Sequence, residues 1–415
     1  MAASFTLTSV RLADRSGLWD LTVTDGYVQA ITVAGAYLSP HPQVDGRHRL
    51  LVPGFVDIHV HLDKAFQLTS LERAHGSAGS LEQAIESTAL LRQSLDLAVI
   101  EHNADRALRM MVAGGTVAAR VHVEITGASD PAAVGMHLGL AERHPEIVLE
   151  LTAFAQHGTT SDATIVRRME QAMSAGCRVV AGCPYADPEP LRHLDQVIDL
   201  ARSWDAPIDL HLDLSDRPED LLIEEVAPRI ERAGLQGRAA VGHMTTLTAL
   251  APERVRELAA VIRGAGIAVV AMPTTDLFLS GRAQDVAPTR GVTRIQELVD
   301  AGVSVALASN NHENAFTPVA MPSLTHAGWL ASLTNYMSTS ARQLALLDAI
   351  TTVPRSLLTG PVPGIALGDV VGGALFDVES PVDLIRSAAR PTDLVSAAHG
   401  VTSATTTRAE NAHVG

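Results

Sequence analysis

Phe55-Val56-Asp57-Ile58-His59-Val60-His61-Leu62-Asp63-Lys64 begins as an apolar run of strand length and ends in two histidines, an acid and a lysine. Alternation along a strand sends His59 and His61 to one face, where two imidazoles can share a metal ion. Similar buried runs recur along the chain at 55–60, 116–123, 147–154, 178–181, 208–212, 239–242, 267–271 and 303–308. Most are rich in β-branched residues, and several follow a glycine turn such as Ala113-Gly114-Gly115 or Ala301-Gly302. Helical text lies between them. Residues 80–98 open on a capping-box pattern, Ser80 to Gln83, and residues 252–263 carry a proline in the first turn. Eight strand–helix alternations describe an α/β fold of the (β/α)8 TIM-like barrel type better than a doubly wound sheet.

The text on either side of the barrel differs. Residues 4–12, 18–23 and 27–33 read as strands, with hairpin or turn signals at Asp25-Gly26 and Asp45-Gly46. Two or three helices follow the eighth run, at about 321–359, and then residues 364–384 return to strand-like text with Gly368-Asp369 and Gly372-Gly373 turns. The expected organisation is a barrel over 54–359, a small β-sandwich domain formed by the N- and C-terminal segments (1–53 and 360–401), and a flexible tail, 402–415.

Composition narrows the function classes. The 415 residues carry Lys+Arg 31 against Asp+Glu 46, a formal net charge of -15, which disfavours nucleic-acid and anionic-membrane partners. The opening residues lack the features of a signal peptide, and no run of about 18 apolar residues suggests a membrane span. Two cysteines, Cys177 and Cys183, make no disulfide framework. The expectation is a cytoplasmic enzyme or small-molecule binder, with a homo-oligomer left open.

In such a barrel, catalytic groups stand at the carboxyl ends of the strands. The fifth run ends in His211-Leu212-Asp213-Leu214 and the sixth in Gly242-His243, so four histidines gather at one end of three strands. Three imidazoles and an open position make the composition of a catalytic zinc-like site. Gln156 ends the third run, where it could bond an amide or ring nitrogen. The eighth run ends in Asn310, whose amide oxygen can ligate a metal weakly but cannot accept a proton from water. Asp213 shares a face with His211 and reads as site-facing. Asp216, His312, Glu313, His157 and Asp276 fall in loops over the mouth, ordinarily solvated positions. Of these, His157 and His312, with Asn311, are candidate substrate contacts. Lys64 is the only lysine in the chain. It either serves the site, binding an anionic group or holding a proton, or forms a structural ion pair with Asp63.

The chain resembles the amidohydrolase superfamily, specifically its cytosine-deaminase-like branch. The resemblance runs through Val52-Pro53-Gly54-Phe55-Val56-Asp57, the His-x-His-Leu-Asp-Lys run, Arg120-Val121-His122-Val123-Glu124, Gln156, His211, Gly242-His243, residues 273–282 and Gly368-Asp369-Val370. It implies one divalent metal ion, zinc or iron, held by His59, His61 and His211 with Asn310 as a further ligand. It also implies that His243 hydrogen-bonds the reacting oxygen and that Gln156 holds a cyclic amidine or ureide. Two positions depart from the family pattern. The glutamate of its fifth-strand His-x-x-Glu is Leu214 here, and its eighth-strand aspartate is Asn310. Each such group is worth roughly 10²–10⁴ in rate, so the deaminase activity is not carried over.

Three readings follow. The first is a metal-dependent hydrolase of a non-peptide C–N bond in a small cyclic nitrogen-containing substrate, with His243, Asp213 and Lys64 as catalytic candidates. The second is a lyase, cyclase or isomerase on the same scaffold, suited by the loss of two water-activating carboxylates. The third is a small-molecule binder whose catalysis has decayed, which the survival of His59, His61, His211 and His243 together opposes.

Overall fold

The computed structural model describes residues 2–37, 39–76, 79–126, 132–321 and 323–404. Eight parallel strands form the barrel in chain order: Phe55–Val60, Thr116–Glu124, Val148–Ala155, Val179–Gly182, Ile208–Leu212, Ala239–His243, Ile267–Ala271 and Val305–Leu307. These are the first to eighth barrel strands below. All eight expected runs are strands, with ends moved by a few residues. The seam between first and eighth strands closes through backbone bonds: His61 N–H donates to Asn310 O at 2.8 Å and Asn310 N–H to His59 O at 3.0 Å. Beneath it, Asp57 accepts from Ser309 N–H at 3.2 Å and Ser309 Oγ at 2.5 Å. Small side chains such as Ala240, Ala268 and Ala306 pack with Ile58 and Val270 in one buried cluster.

Local chemistry accounts for the helix ends. Ser80 caps Leu81–Arg92 by accepting from Gln83 N–H at 3.3 Å, while Gln83 Oε1 accepts from Gly79 N–H at 2.7 Å. The expected single helix over 80–98 is interrupted, because Asp96 caps a second helix, Leu97–Ala113. Three helices follow the eighth strand, Leu324–Thr334, Ser340–Asp348 and Thr352–Leu357.

A second, mixed eight-stranded sheet builds the small sandwich domain from both chain ends, with its own apolar cluster around Leu7, Leu21, Leu51 and Leu375. Strand Gly372–Phe376 pairs antiparallel with Leu50–Pro53, the segment that feeds the first barrel strand. Two boundaries differ from expectation. Residues 381–384 are helical, because Pro381 and the Ser380–Asp383 capping box start the helix Pro381–Arg386. The last strand, Gly400–Ser403, runs past residue 401, so 402 is not the start of a tail. The expected flexibility of 405–415 lies outside the described residues.

Inside the barrel, Arg120 on the second strand is fully buried and bonds Glu150 at 2.7 Å, Asp209 at 3.0 Å and the Leu357 carbonyl at 2.5 Å. Glu150 in turn accepts from Thr359 N–H at 2.7 Å, tying the barrel to the chain that returns to the small domain. Replacing Arg120 by methionine strands two buried carboxylates. Arg120→Met is therefore expected to lower the unfolding free energy by about 3–5 kcal/mol in urea denaturation. A loss under about 1 kcal/mol, the range of exposed pairs, would contradict this role.

Candidate active site

The carboxyl ends of five strands bring their polar side chains to one mouth. His59 and His61 come from the first strand, His122 and Glu124 from the second, His211 from the fifth, His243 from the sixth and Asn310 from just past the eighth. A register irregularity between Asp57 and Val60 marks the first strand where its two histidines turn inward. His59 Nε2 and His61 Nε2 each lie 3.0 Å from His211 Nε2. Each Nε2 presents a single in-plane site, either an N–H or a lone pair, so His211 Nε2 cannot make a well-formed hydrogen bond to both rings at once. The Nδ1 atoms of all three are buried and have no hydrogen-bond partner among the described residues, as does Asn310 Oδ1. Burial pushes the imidazole pKa values of His59, His61, His122 and His211 below the usual histidine value. Neutral imidazoles turned on one point, beside an unpartnered carbonyl oxygen, fit a divalent metal ion.

Two trios overlap here. Ring nitrogens of His59, His122 and His211 lie within 4.8 Å of one another. His122 packs against His59, with ring centroids 3.9 Å apart, and its Nε2 lies 3.8 Å from Asp209. His61 and His211 border the pocket with Asn310, whereas His59 and His122 do not. His59 and His61 each bring Nε2 to 3.0 Å from His211 Nε2, which groups these three around one point. Asp209 sits below His59 and His122, 3.7 Å from His59 Nδ1. Its burial opposes ionisation, but His122, His59 and Arg120 hold its carboxyl below the usual range.

His243 makes a second feature. Its Nδ1–H donates to Asp276 Oδ1 at 2.7 Å, and both residues are buried. The carboxylate can only accept, so the bond places a proton on Nδ1 and makes Nε2 the acceptor nitrogen of the neutral ring. Gly242 lets this end pack closely: a Cβ there would stand 2.8 Å from Met272 Cε and 3.4 Å from His59 Cε1. Asp213, His243 and Asn310, at the ends of the fifth, sixth and eighth strands, all have positive φ. Such non-glycine conformations cost roughly 1–3 kcal/mol each and cluster at functional sites.

An inner pocket is bordered by His61, His211, His243, Asn310, Lys64, Gln156, Asn311 and Thr275 on its polar side. Leu81, Ile85, Tyr185, Leu214, Leu279 and Phe316 line the rest. Leu81, Tyr185, Leu214 and Leu279 also border an outer vestibule, so an apolar partition separates the two spaces. A third recess, lined by Arg120, Arg178 and Trp204, lies at the opposite end of the barrel and contains none of these histidines.

Several sequence expectations change. Asp213 does not enter the inner pocket. The fifth strand ends at Leu212, and Asp213 has φ 52°, which breaks the alternation that was to align it with His211. Its carboxylate instead accepts from Leu222 N–H at 2.7 Å and Ile223 N–H at 3.3 Å, at the start of helix Ile223–Ala233, and burial pushes its pKa up to about 7. Lys64 pairs with Glu124 at 3.1 Å, not Asp63, which binds Arg92 at 2.9 Å. His157 is 37% exposed and lies 3.4 Å from Glu124, outside the inner pocket. His312 is fully buried and accepts from Met321 N–H at 3.3 Å, so it supports the loop. Gln156 and Asn311 do border the pocket. Asp276, taken as a solvated loop residue, is buried on the helix Pro273–Leu279 against His243. Sequence reasoning passed over His122 as a metal-facing residue; the signal was its place two residues beyond Arg120 on a strand whose inward face also carries Glu124.

A barrel with convergent histidines at its carboxyl mouth and a histidine–carboxylate pair beside them has the donor set that a metal-dependent hydrolase needs. Residues 106–353, more than half of the chain, match the Amidohydrolase family, and the chain belongs to it. It is an enzyme that acts on C–N bonds other than peptide bonds. The chain is 27% identical over 367 residues to a pterin deaminase of Rhizobium rhizogenes, covering 86% of this chain and 82% of that protein. In fold it is similar to 5-methylcytosine deaminase from Klebsiella pneumoniae liganded with 5-fluorocytosine, with a TM-score of 0.87, 23% identity, and 95% and 96% of the two chains covered. It is also similar to N-isopropylammelide isopropylaminohydrolase from Burkholderia multivorans, with a TM-score of 0.81, 18% identity, and coverage of 95% and 97%. Among the described residues, no helix is long and apolar enough to cross a membrane.

Protein purified without chelator is expected to hold about one equivalent of divalent metal by elemental analysis, and His211→Ala little. Metal-free protein is also expected to lose stability as pH falls below the ordinary histidine value of 6.5. Burial lowers the pKa of His59, His61, His122 and His211, and holds His193 and His312 at about 4, so the unfolded chain takes up protons that the folded chain refuses. Asp57 and Asp213, raised by burial to about 6 and 7, act with the opposite sign, but the histidines outnumber them. The urea midpoint should be lower at pH 5 than at pH 7, and an equal or higher midpoint would oppose the assignment.

Proposed function

We propose that the chain hydrolyses a C–N bond at a ring carbon of a small cyclic nitrogen-containing compound, with His243 as its proton-handling group. The observation that carries this reading is the convergence of the His59, His61 and His211 Nε2 atoms beside a pocket bordered by His61, His211 and His243, the last held by Asp276. His59, His61 and His211 would hold one divalent ion, zinc or iron, with Asn310 Oδ1 as a further donor. Imidazole-rich donor sets suit both metals. Such an ion, when bound, supplies Lewis acidity at the scissile centre.

The remaining work falls to side chains. Asp276 keeps the Nδ1 proton of His243 in place, so Nε2 takes a proton from the attacking water and returns it to the departing nitrogen. This pair supplies what Leu214 and Asn310 lack. It opposes a decayed binder, because a group able to move a proton remains at the pocket, and the family match favours hydrolysis over a lyase or isomerase. Leu214 packs in an apolar cluster with Leu279 and Phe316 and acts by excluding water. Cys183 is no competing nucleophile, since burial pushes its thiol up to about 12. The relationship to a pterin deaminase supports a planar ring substrate.

The test is water uptake by cyclic amides and amidines on incubation with metal-loaded protein, followed by mass spectrometry. His243→Asn is expected to lower kcat by about 10²–10⁴-fold while metal content is retained. Asp276→Asn should lower kcat at least about 10²-fold and alter the pH profile of kcat/KM. Unchanged kcat in both variants would remove the pair from the chemistry.

A further inference from the structure

We propose that Lys64, with the amide N–H groups of Gln156 and Asn311, forms a wall of hydrogen-bond donors that selects an acceptor-only edge. The corresponding ligand is a planar heterocycle whose unprotonated ring nitrogen is flanked by oxo oxygens, such as the anion of a cyclic imide or ureide. This rests on the inner pocket being the substrate site.

Lys64 is the chain's single lysine, and its side chain is 3% exposed at the pocket. Its ammonium has three N–H groups. One donates to Gln156 Oε1 at 2.7 Å and a second faces Glu124 Oε2 at 3.1 Å. No third acceptor lies within hydrogen-bond distance among the described residues. The Phe154 and Phe316 rings stand 5.6 Å and 5.5 Å from Nζ and add apolar ring faces around the ammonium at the pocket edge. A ligand oxygen in the pocket would complete the set.

The same bonds orient the two amides. Because Lys64 occupies Gln156 Oε1, Gln156 turns its NH2 elsewhere, and its nearest partner is the weak acceptor Cys183 Sγ at 3.9 Å. Asn311 Oδ1 is likewise occupied, by Asn314 Nδ2 at 2.7 Å, which leaves the Asn311 NH2 as its free end. Three neighbouring residues thus offer donors only. A ring that presents amino groups to them would leave donors facing donors and lose its hydrogen bonds to water in exchange for none. An oxo–nitrogen–oxo edge satisfies them, and negative charge on that edge is matched by the ammonium. Glu124 does not cancel this match, because it is shared with Arg92, 3.3 Å away.

The experiment compares two rings of equal size by isothermal titration with the metal-loaded protein, with ligand recovered afterwards and checked for integrity. Cyanurate, deprotonated above neutral pH at a ring nitrogen between two oxo groups, presents the acceptor-only edge, and melamine presents amino groups at the same positions. Cyanurate is expected to bind at least tenfold more tightly. Lys64→Met should weaken cyanurate at least tenfold and narrow the ratio. Gln156→Glu, which keeps the contact to Lys64 but replaces donors by acceptors, should shift preference toward the triamino ring and serves if Lys64→Met does not fold. Equal affinities, binding of neither ring, or a cyanurate affinity untouched by both variants overturns the proposal. Oxo preference without turnover of any ring compound would leave it standing and remove the hydrolytic reading. Turnover combined with triamino preference would do the reverse.

Discussion

The seam that closes the barrel is the constraint on which the site depends. Backbone bonds from His61 to Asn310 and from Asn310 to His59 join the first strand to the eighth, and the residues that make them carry side chains of the mouth. Closure and donor placement are therefore one event: the barrel cannot shut without setting His59, His61 and Asn310 side by side. Asp57 and Ser309 fasten the same seam one layer deeper, where burial raises the Asp57 carboxyl to about 6.

Below the histidines, Arg120 gathers Glu150 and Asp209, and Asp209 faces His59 and His122. The network costs desolvation, which only mutual pairing offsets. In return, a carboxylate is held ionised beneath rings that burial keeps neutral. Above the histidines the logic reverses. Leu81, Tyr185, Leu214 and Leu279 separate the inner pocket from the vestibule, and a low-dielectric space strengthens each remaining polar contact. The site thus has an ionic floor, a polar wall and an apolar roof.

On the proposed reading, proton handling has moved within the barrel. The positions expected to supply carboxylates hold Leu214 and Asn310, while a buried carboxylate stands one strand away, on Asp276, bonded to His243. Sequence order hid this pair, because 33 residues separate its members and Asp276 follows a proline in text that resembles a loop. Asp213 shows the converse. Strand alternation aimed it at the site, yet a left-handed residue at the strand end turned it to cap a helix.

By itself the sequence determined the barrel, because buried strands of a parallel sheet are near-continuous apolar runs and eight of them alternate with helical text. It also determined the histidine set, since His59, His61, His211 and His243 all fall at strand ends, where this fold places its chemistry. Only the tertiary structure decided which charged residues reach the pocket. Pairings such as Lys64 with Glu124, Asp63 with Arg92 and His243 with Asp276 join different strands and loops. Their distances depend on how the barrel curves and where each strand stops. Periodicity along the chain reports which face a side chain takes, but not which distant charge it meets there.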